Sequence, residues 1–258
     1  MKNYIKTYLK NRPLFLSIIR GKEADLFQNI LPLKKPILDF GCGDGFFVKV
    51  VFQDFGKIDI GLDVDEKKFK DAKKEDIYKK LVFYDGNKLL FSNNYFSTII
   101  SNCVLEHVDN LEGNLSEIYR VLKPKGKFIC TVMTNRWEEY LFGKIFLGSI
   151  YKKWMRKKQI HKNLLDKKEW DLKFNKAGFK IEKTIGYLDK NTSRWLDLLH
   201  YSSIPSLVSY KVFGKWILFP WFYNIAPINK WFERLIRSNV SVGNSAALFY
   251  VLVKTTAS

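Results

Sequence analysis

Asp39-Phe40-Gly41-Cys42-Gly43-Asp44-Gly45 closes a short apolar run, Pro36 to Phe40, and opens a helical pattern from Phe46 to Phe52. Strand, glycine-rich turn and helix in that order are how a doubly wound α/β sheet begins to build a ligand site. Glycines let the backbone turn tightly and approach a ligand with no Cβ in between. The helix behind them presents N–H groups that have no partner within the helix. The turn alone does not choose the ligand. A dinucleotide fingerprint, G-x-G-x-x-G, needs glycine at position 46, and the chain has Phe46 there.

Working outward, Lys57 to Leu62 reads as a second strand, followed by a charged helix around Asp65 to Lys74. Leu81 to Tyr84 reads as a third strand and Phe96 to Ser101 as a fourth. Leu111, Leu115, Ile118, Tyr119 and Leu122 share one helical face, and Lys123-Pro124-Lys125-Gly126 ends that helix. Phe128 to Val132 is a fifth strand. Residues 140–165 look helical, basic and aromatic. A helix from Asp166 to Ala177, closed by Gly178, leads to a sixth strand, Phe179 to Ile185. Residues 188–243, broken by Pro205, Pro220 and Pro227, read as irregular, and Ala246 to Lys254 as a last strand. The alternation predicts a parallel sheet with helices on both faces. It divides the chain into a basic helical segment at 1–35, a binding core at 36–133, and a completing region at 134–258 with insertions at 140–165 and 188–243.

Acidic residues gather at the carboxyl ends of these strands, where open α/β sheets bind ligands. Asp63 ends the second strand, 20 residues beyond Gly43, as a carboxylate that accepts ribose hydroxyls does. Asp85-Gly86 follows the third strand, where a carboxylate can accept from an adenine amino group. With Asp39 and Asp44 these make four aspartates, which would repel a pyrophosphate. S-adenosylmethionine carries a sulfonium and an ammonium against one carboxylate, so acids suit it.

These segments resemble class I S-adenosylmethionine-dependent methyltransferases over about residues 33–133. Ile37 to Gly45 is similar to the family's first motif, Ile60-Gly61-Leu62-Asp63 to its ribose-binding acidic position, and Tyr84-Asp85-Gly86 to its adenine-side position. Phe96 to His107, ending in Leu105-Glu106-His107, resembles its fourth strand and following loop, and Arg120 to Gly126 the turn before its fifth strand. Phe96-Ser97 and Pro124-Lys125-Gly126 depart from the family's usual Phe-Asp and Pro-Gly-Gly. The resemblance implies a Rossmann-like seven-stranded sheet with helices on both faces and a reversed last strand, plus helical and aromatic insertions after the fifth and sixth strands. It implies that Asp39, Gly41, Gly43 and Asp63 hold the methionine and ribose parts of the cofactor, and that Asn102 and Cys103 line the pocket near the sulfonium. Cys42, Asp44, Gly45, Val64, Asp85 and Gly86 complete the expected cofactor-binding set, and no metal is expected.

His107 is the candidate catalytic residue, since an imidazole suits proton removal near neutral pH. The plainer reading, favoured on the sequence, is a histidine that packs and bonds its loop. Cys42 reads as a small filler, Cys130 as inert core, and Asp44 as partly a helix N-cap. Methyl transfer from a sulfonium needs little beyond alignment of donor and acceptor in a site closed to water.

Charge and composition bear on the acceptor. The net charge of +18 is uneven: residues 1–35 carry +6, residues 36–133 carry −1, and residues 134–258 carry +13. Such a field draws anionic partners; a general bias toward Lys and Asn is the alternative, but it would not by itself leave the middle neutral. Three scattered cysteines suggest reduced thiols in the cytoplasm, and the apolar run Leu14 to Ile19 is too short for a secretory signal. Ser101-Asn102-Cys103-Val104 lacks the Asn/Asp-Pro-Pro-aromatic motif of enzymes that methylate DNA amino groups.

Phe142, Phe146, Ile150 and Trp154 recur every four residues, with Leu147, Tyr151 and Met155 beside them and Lys152, Lys153, Arg156, Lys157, Lys158 and Lys162 interleaved. Trp195, Leu198, Leu199, Trp216, Trp221, Phe222, Tyr223 and Trp231 enrich the second insertion. Both are expected either as lids over the sheet or as interfacial contacts with an anionic membrane. The expectation is a cytoplasmic methyltransferase, peripheral at the inner membrane face on the second reading. Its acceptor is a small or lipid-linked molecule, anionic in character, such as a cell-envelope glycan or lipid precursor. An RNA methyltransferase and a catalytically silent S-adenosylmethionine-binding protein are the alternatives.

Overall fold

The strand that carries the glycine turn, β1 (Ile37–Phe40), is buried at all four positions, as a strand covered on both faces requires. It is flanked in a computed structural model, which describes residues 4–201, 203–219 and 240–255, by six others. These are β2 (Ile58–Asp63), β3 (Tyr78–Phe83), β4 (Phe96–Asn102), β5 (Leu122–Met133), β6 (Phe179–Gly186) and β7 (Ala247–Lys254). Their order across the sheet is β3-β2-β1-β4-β5-β7-β6. The first five run parallel, and β7 lies antiparallel between β5 and β6. The expected seven-stranded sheet with a reversed last strand is the one formed.

Ten helices accompany the sheet among the described residues: α1 (Tyr4–Asn11), α2 (Leu14–Gln28), α3 (Phe46–Phe52), α4 (Phe69–Lys74), α5 (Leu111–Val121), α6 (Arg136–Tyr140), α7 (Lys144–Gln159), α8 (Lys167–Lys176), α9 (Lys190–Tyr201) and α10 (Ile204–Phe213). Alternating strand residues face opposite layers. Ile37, Ile100, Ile129 and Phe249 join one core with Phe27 of α2 and Phe52 of α3. Phe27 meets Phe47, Phe52 and Phe249 edge-on, with ring centroids 5.4, 6.3 and 5.3 Å away. Leu38, Ile99, Phe128 and Tyr250 join the other core with Leu115 and Ile118 of α5 and Trp170 and Phe174 of α8. Because β1 has β2 on one side and β4 on the other, the connections after β1 and β4 diverge and open a crevice at the strands' carboxyl ends.

Four local readings need correction. β3 begins at Tyr78, not Leu81, because it is an edge strand whose exposed Lys79 and Lys80 disguise it. β5 begins at Leu122, and Pro124-Lys125-Gly126 lies within it, where the register with β4 shifts between Phe96 and Thr98. Residues 140–165 are not one helix. Gly148 has φ 54° and ψ −132°, so α7 is two helical pieces and the four-residue aromatic spacing does not mark one continuous face. Residues 190–213 form α9 and α10, not irregular chain. Pro205 sits in the first turn of α10, where a missing N–H costs nothing, so a proline read as a breaker is a starter. Trp221, Phe222, Tyr223 and Trp231 lie outside the described residues.

Candidate functional site

The turn after β1 is built against β2. The N–H groups of Gly41 and Cys42 both donate to the Leu62 carbonyl, at 2.8 and 2.9 Å. Gly41 has φ +82°, and a Cβ there would stand 2.4 Å from the Val104 side chain, so only glycine fits. Gly43 also has positive φ, but a Cβ there would meet nothing within 4 Å. Its face is open. Its N–H donates to Asp63 Oδ2 at 2.8 Å, while Asp65 N–H donates to Oδ1 at 2.9 Å. Each buried Asp63 oxygen therefore holds one backbone donor and keeps a lone pair for another.

The crevice is a cavity of about 710 Å³, within the range of small-molecule sites. Gly41, Gly43, Asp63, Val64, Asp85, Gly86, Asn102, Cys103 and His107 of the expected residues all line it. Asp39, Cys42, Asp44 and Gly45 do not line it. Asp39 lies beneath the turn and accepts the Tyr78 hydroxyl at 2.6 Å. Burial lifts its carboxyl to about 7, against the lowering effect of the Tyr78 bond. Cys42 is buried in the core, and burial raises its thiol far above the ordinary range. Asp44 pairs with Arg12 of α1's C-terminal side at 2.7 Å and accepts the Phe46 N–H at 3.1 Å, but the N-cap of α3 is Gly45, one residue on, so Asp44 is not the cap expected. Gly45, with φ +76°, starts α3 against Tyr78 and Ala72. These four shape the turn from behind.

Asp85 is exposed and accepts the Asn87 N–H at 2.9 Å, which holds its carboxyl below the usual range. Val64 is exposed beside Asp63. His107 Nδ1 lies 3.1 Å from the Ile160 carbonyl and so donates to it, which leaves Nε2 as an acceptor in the neutral ring. Burial lowers its pKa, so the neutral form is the one favoured.

Several lining residues had no signal in the sequence. Arg20 of α2 reaches the far end of the cavity beside Asn102 and Cys103. Its partner Glu23 is fully buried and pairs with it at 2.5 Å. The same carboxylate accepts from Asn102 Nδ2 at 2.9 Å, Tyr187 Oη at 2.8 Å and Cys103 Sγ at 3.2 Å. Thr131 Oγ1 donates to Asn102 Oδ1 at 2.6 Å and accepts the Cys103 N–H at 2.9 Å. Cys103 itself has φ +52°, a conformation held by this network. Burial first, and then the Glu23 charge, push its thiol up, so it is a neutral lining group and not a nucleophile. At the other end Asn114 of α5 accepts the Tyr84 hydroxyl at 3.0 Å and fixes the end of β3. No group of three or more His, Cys, Asp or Glu among the described residues is arranged to hold a metal ion.

The family model described as a methyltransferase domain matches residues 38–130. An uncharacterized protein of Methanocaldococcus jannaschii is 30% identical over 182 residues, covering 67% of this chain and 81% of that one. Sterol 24-C-methyltransferase of Kluyveromyces lactis is 33% identical over 144 residues, covering 53% of this chain, and the match spans only 39% of the sterol enzyme. Among solved structures, one described as a SAM-dependent methyltransferase and possible histamine N-methyltransferase, from Thermotoga maritima, superposes with TM-score 0.62. It is 19% identical, covers 94% of this chain and 92% of its own, and so speaks for the fold.

Proposed function

This chain belongs to the class I S-adenosylmethionine-dependent methyltransferases, and from that premise we propose that it methylates a small or lipid-linked acceptor at an anionic membrane surface. Its cofactor is S-adenosylmethionine, which supplies an electrophilic methyl on a sulfonium. On this reading the two Asp63 oxygens take the ribose hydroxyls with their remaining lone pairs. Val64 packs on the adenine, and the Asp85-Gly86 turn faces its amino group. Gly41 and Gly43 give the backbone approach, which the open face of Gly43 supports. Asn102 and Cys103 line the methionine end, where the Arg20 guanidinium answers the carboxylate. Residues 36–133, joined by Arg20, Gln159 and Ile160, then serve the cofactor, while 134–258 complete the sheet and carry the acceptor-side segments.

The observation behind the membrane proposal is exposed apolar surface set among cations. Phe146 and Ile150 of α7 are 73% and 75% exposed, with Ile145, Leu147 and Trp154 exposed beside them. Only Tyr151 and Met155 of that helix pack inward, the share a lid would need. Ile204, Leu207, Val208, Val212 and Phe213 of α10 are exposed as well. Lys153, Lys157 and Lys158 stand on α7, and Lys211 and Lys215 on or just beyond α10, all exposed. No helix of the described residues is long and apolar enough to cross a bilayer, so the contact proposed is interfacial. A cell-envelope glycan or lipid precursor with an anionic headgroup suits such a surface.

Co-sedimentation with vesicles tests this. The full chain is expected to sediment with phosphatidylglycerol vesicles and not with phosphatidylcholine alone, and to be released as salt shortens the screening length. Replacing Phe146 and Ile150 together by serine removes two largely exposed apolar side chains and is expected to weaken binding at least about tenfold. If the chain ignores anionic vesicles at low salt, the membrane proposal is wrong. Soluble sugars, small molecules and RNA then become the acceptors to search.

A further inference from the structure

We infer that a second, smaller cavity receives the reacting group of the acceptor, that this group is a hydroxyl or amine on a compact apolar body, and that the Glu106 carboxylate takes its proton. The inference rests on the methyltransferase reading and deepens it. The cavity is about 280 Å³ and shares Arg20, Cys103, His107 and Gln159 with the cofactor crevice, so the two adjoin. Phe15, Leu16 and Ile19 of α2, Trp137 of α6 and Leu196 of α9 supply an apolar wall. The polar wall is unusual. The sequence contains three histidines, His107, His161 and His200, and all three line this cavity with Glu106.

Both Glu106 carboxylate oxygens are buried without a hydrogen-bond partner, and so are His161 Nδ1 and His200 Nδ1. These are four of the six such side-chain atoms found among the described residues. Buried polar atoms are nearly always satisfied, and leaving a carboxylate bare is costly. Concentrating four bare atoms on one small cavity beside the crevice makes sense if a ligand with its own donors completes them. A hydroxyl or amine does so; a carbon acceptor in an apolar body does not.

His107, the candidate from sequence, already spends Nδ1 on the Ile160 carbonyl, and its Nε2 is left as a second acceptor for the same group. The Glu106 carboxylate lies near the N–H groups of Glu106 itself and of Met133 but accepts a well-formed hydrogen bond from neither. In the step, the acceptor's lone pair forms the new bond to the methyl carbon. The carbon–sulfur bond breaks with its electron pair passing to sulfur, and the acceptor's proton passes to a Glu106 oxygen.

The electrostatics agree. Burial raises the Glu106 carboxyl to about 7, against the lowering effect of its own N–H, of Arg20 and of the Met133 N–H, and with Glu23 raising it, so the group exchanges a proton near neutrality. Cys103, just past β4, and Cys130 of β5 are neighbouring thiols that burial keeps neutral. Burial lowers His161 to about 3 and lowers His107 and His200, so all three rings stay neutral there. Asp197 of α9 accepts Tyr151 Oη at 2.6 Å and the Gly143 N–H at 3.0 Å and is occupied by them.

The three histidines make the test direct, because their ring signals in a proton NMR spectrum report on this cavity. The full chain, saturated with S-adenosylhomocysteine, is titrated with 4-ethylphenol, with phenethylamine, and with 4-ethylanisole as a control lacking the proton. The first two are expected to shift the histidine signals saturably, and Glu106→Gln to weaken both at least about tenfold while cofactor affinity stays within about threefold. The histidine signals of the wild type should also show a step near pH 7 that Glu106→Gln removes.

Because the folded-state value is raised, the stability Glu106 allows is complete below the ordinary carboxylate range and is lost as pH rises through about 7. The glutamine variant should therefore melt no lower than wild type at pH 8. If neither proton-bearing probe moves the histidines of the wild type, if the control binds as well as the phenol, or if Glu106→Gln binds both probes unchanged, the inference is overturned. Failure of the wild type to bind S-adenosylhomocysteine would instead overturn the methyltransferase reading.

Discussion

Glu23→Ala is expected to lower the stability of the chain by about 3–5 kcal/mol, the cost of removing one partner from a buried ion pair. The side chain is fully buried, while its partner Arg20 keeps about a quarter of its surface in solvent. Four groups rely on the Glu23 carboxylate: Arg20, Asn102 Nδ2, Tyr187 Oη and Cys103 Sγ. Alanine leaves a guanidinium and three donors facing a small void, and among the described residues no hydrogen bond to another carboxylate holds any of them in place. Because α2, β4, the loop after it and the end of β6 meet here, the damage spreads to the cofactor crevice. Urea unfolding at pH 7, with an unchanged dependence on denaturant, measures the loss. A change below about 1 kcal/mol would mean the pair behaves as an exposed one and that the N-terminal helices are not docked as described.

Asp63→Ala is expected to weaken S-adenosylmethionine binding by about 1–3 kcal/mol, or roughly 5- to 150-fold, in a chain that remains folded. Two effects combine. On the proposed cofactor placement the ribose hydroxyls lose their acceptor, and the N–H groups of Gly43 and Asp65 lose the carboxylate that sets the shape of both loops. Asp63→Asn separates them, since the amide keeps one acceptor oxygen and the shape of the side chain. An intermediate loss is expected for asparagine. Calorimetric titration of both variants reads the effect, and an unchanged affinity for Asp63→Ala would remove Asp63 from the ribose site.

Much of the crevice was legible because its residues follow from local rules. A glycine turn after a buried strand, an acid at the end of the next strand and another after the third all sit at fixed places in a parallel sheet. Eight of the twelve residues expected to bind the cofactor line the cavity, with His107 beside them. Asp39, Cys42, Asp44 and Gly45 sit in the same motif and differ only in which way they face, which depends on Tyr78 and Arg12, 39 and 32 residues away in the chain.

The other wall of the site was not legible for the same reason. Arg20 and Glu23 lie on a helix with two basic and two acidic residues and no motif, and their role comes from docking against β4 and Tyr187, 164 residues from Glu23. The Leu105-Glu106-His107 segment drew attention to the imidazole, yet the bare carboxylate beside it emerges only once α2, α7 and α9 enclose it. The aromatic repeat at 142–154 looked like one helical stripe because Gly148 gives no hint in sequence that it breaks the helix.

The most direct test of the central claim is a calorimetric titration of the purified full chain with S-adenosylmethionine beside one with NAD. Saturable one-to-one binding of S-adenosylmethionine and no heat from NAD is the predicted result, because Phe46 replaces the third glycine of the dinucleotide turn and Asp63, Asp85 and Asp109 line the crevice. Binding of NAD, or no binding of S-adenosylmethionine, would contradict it.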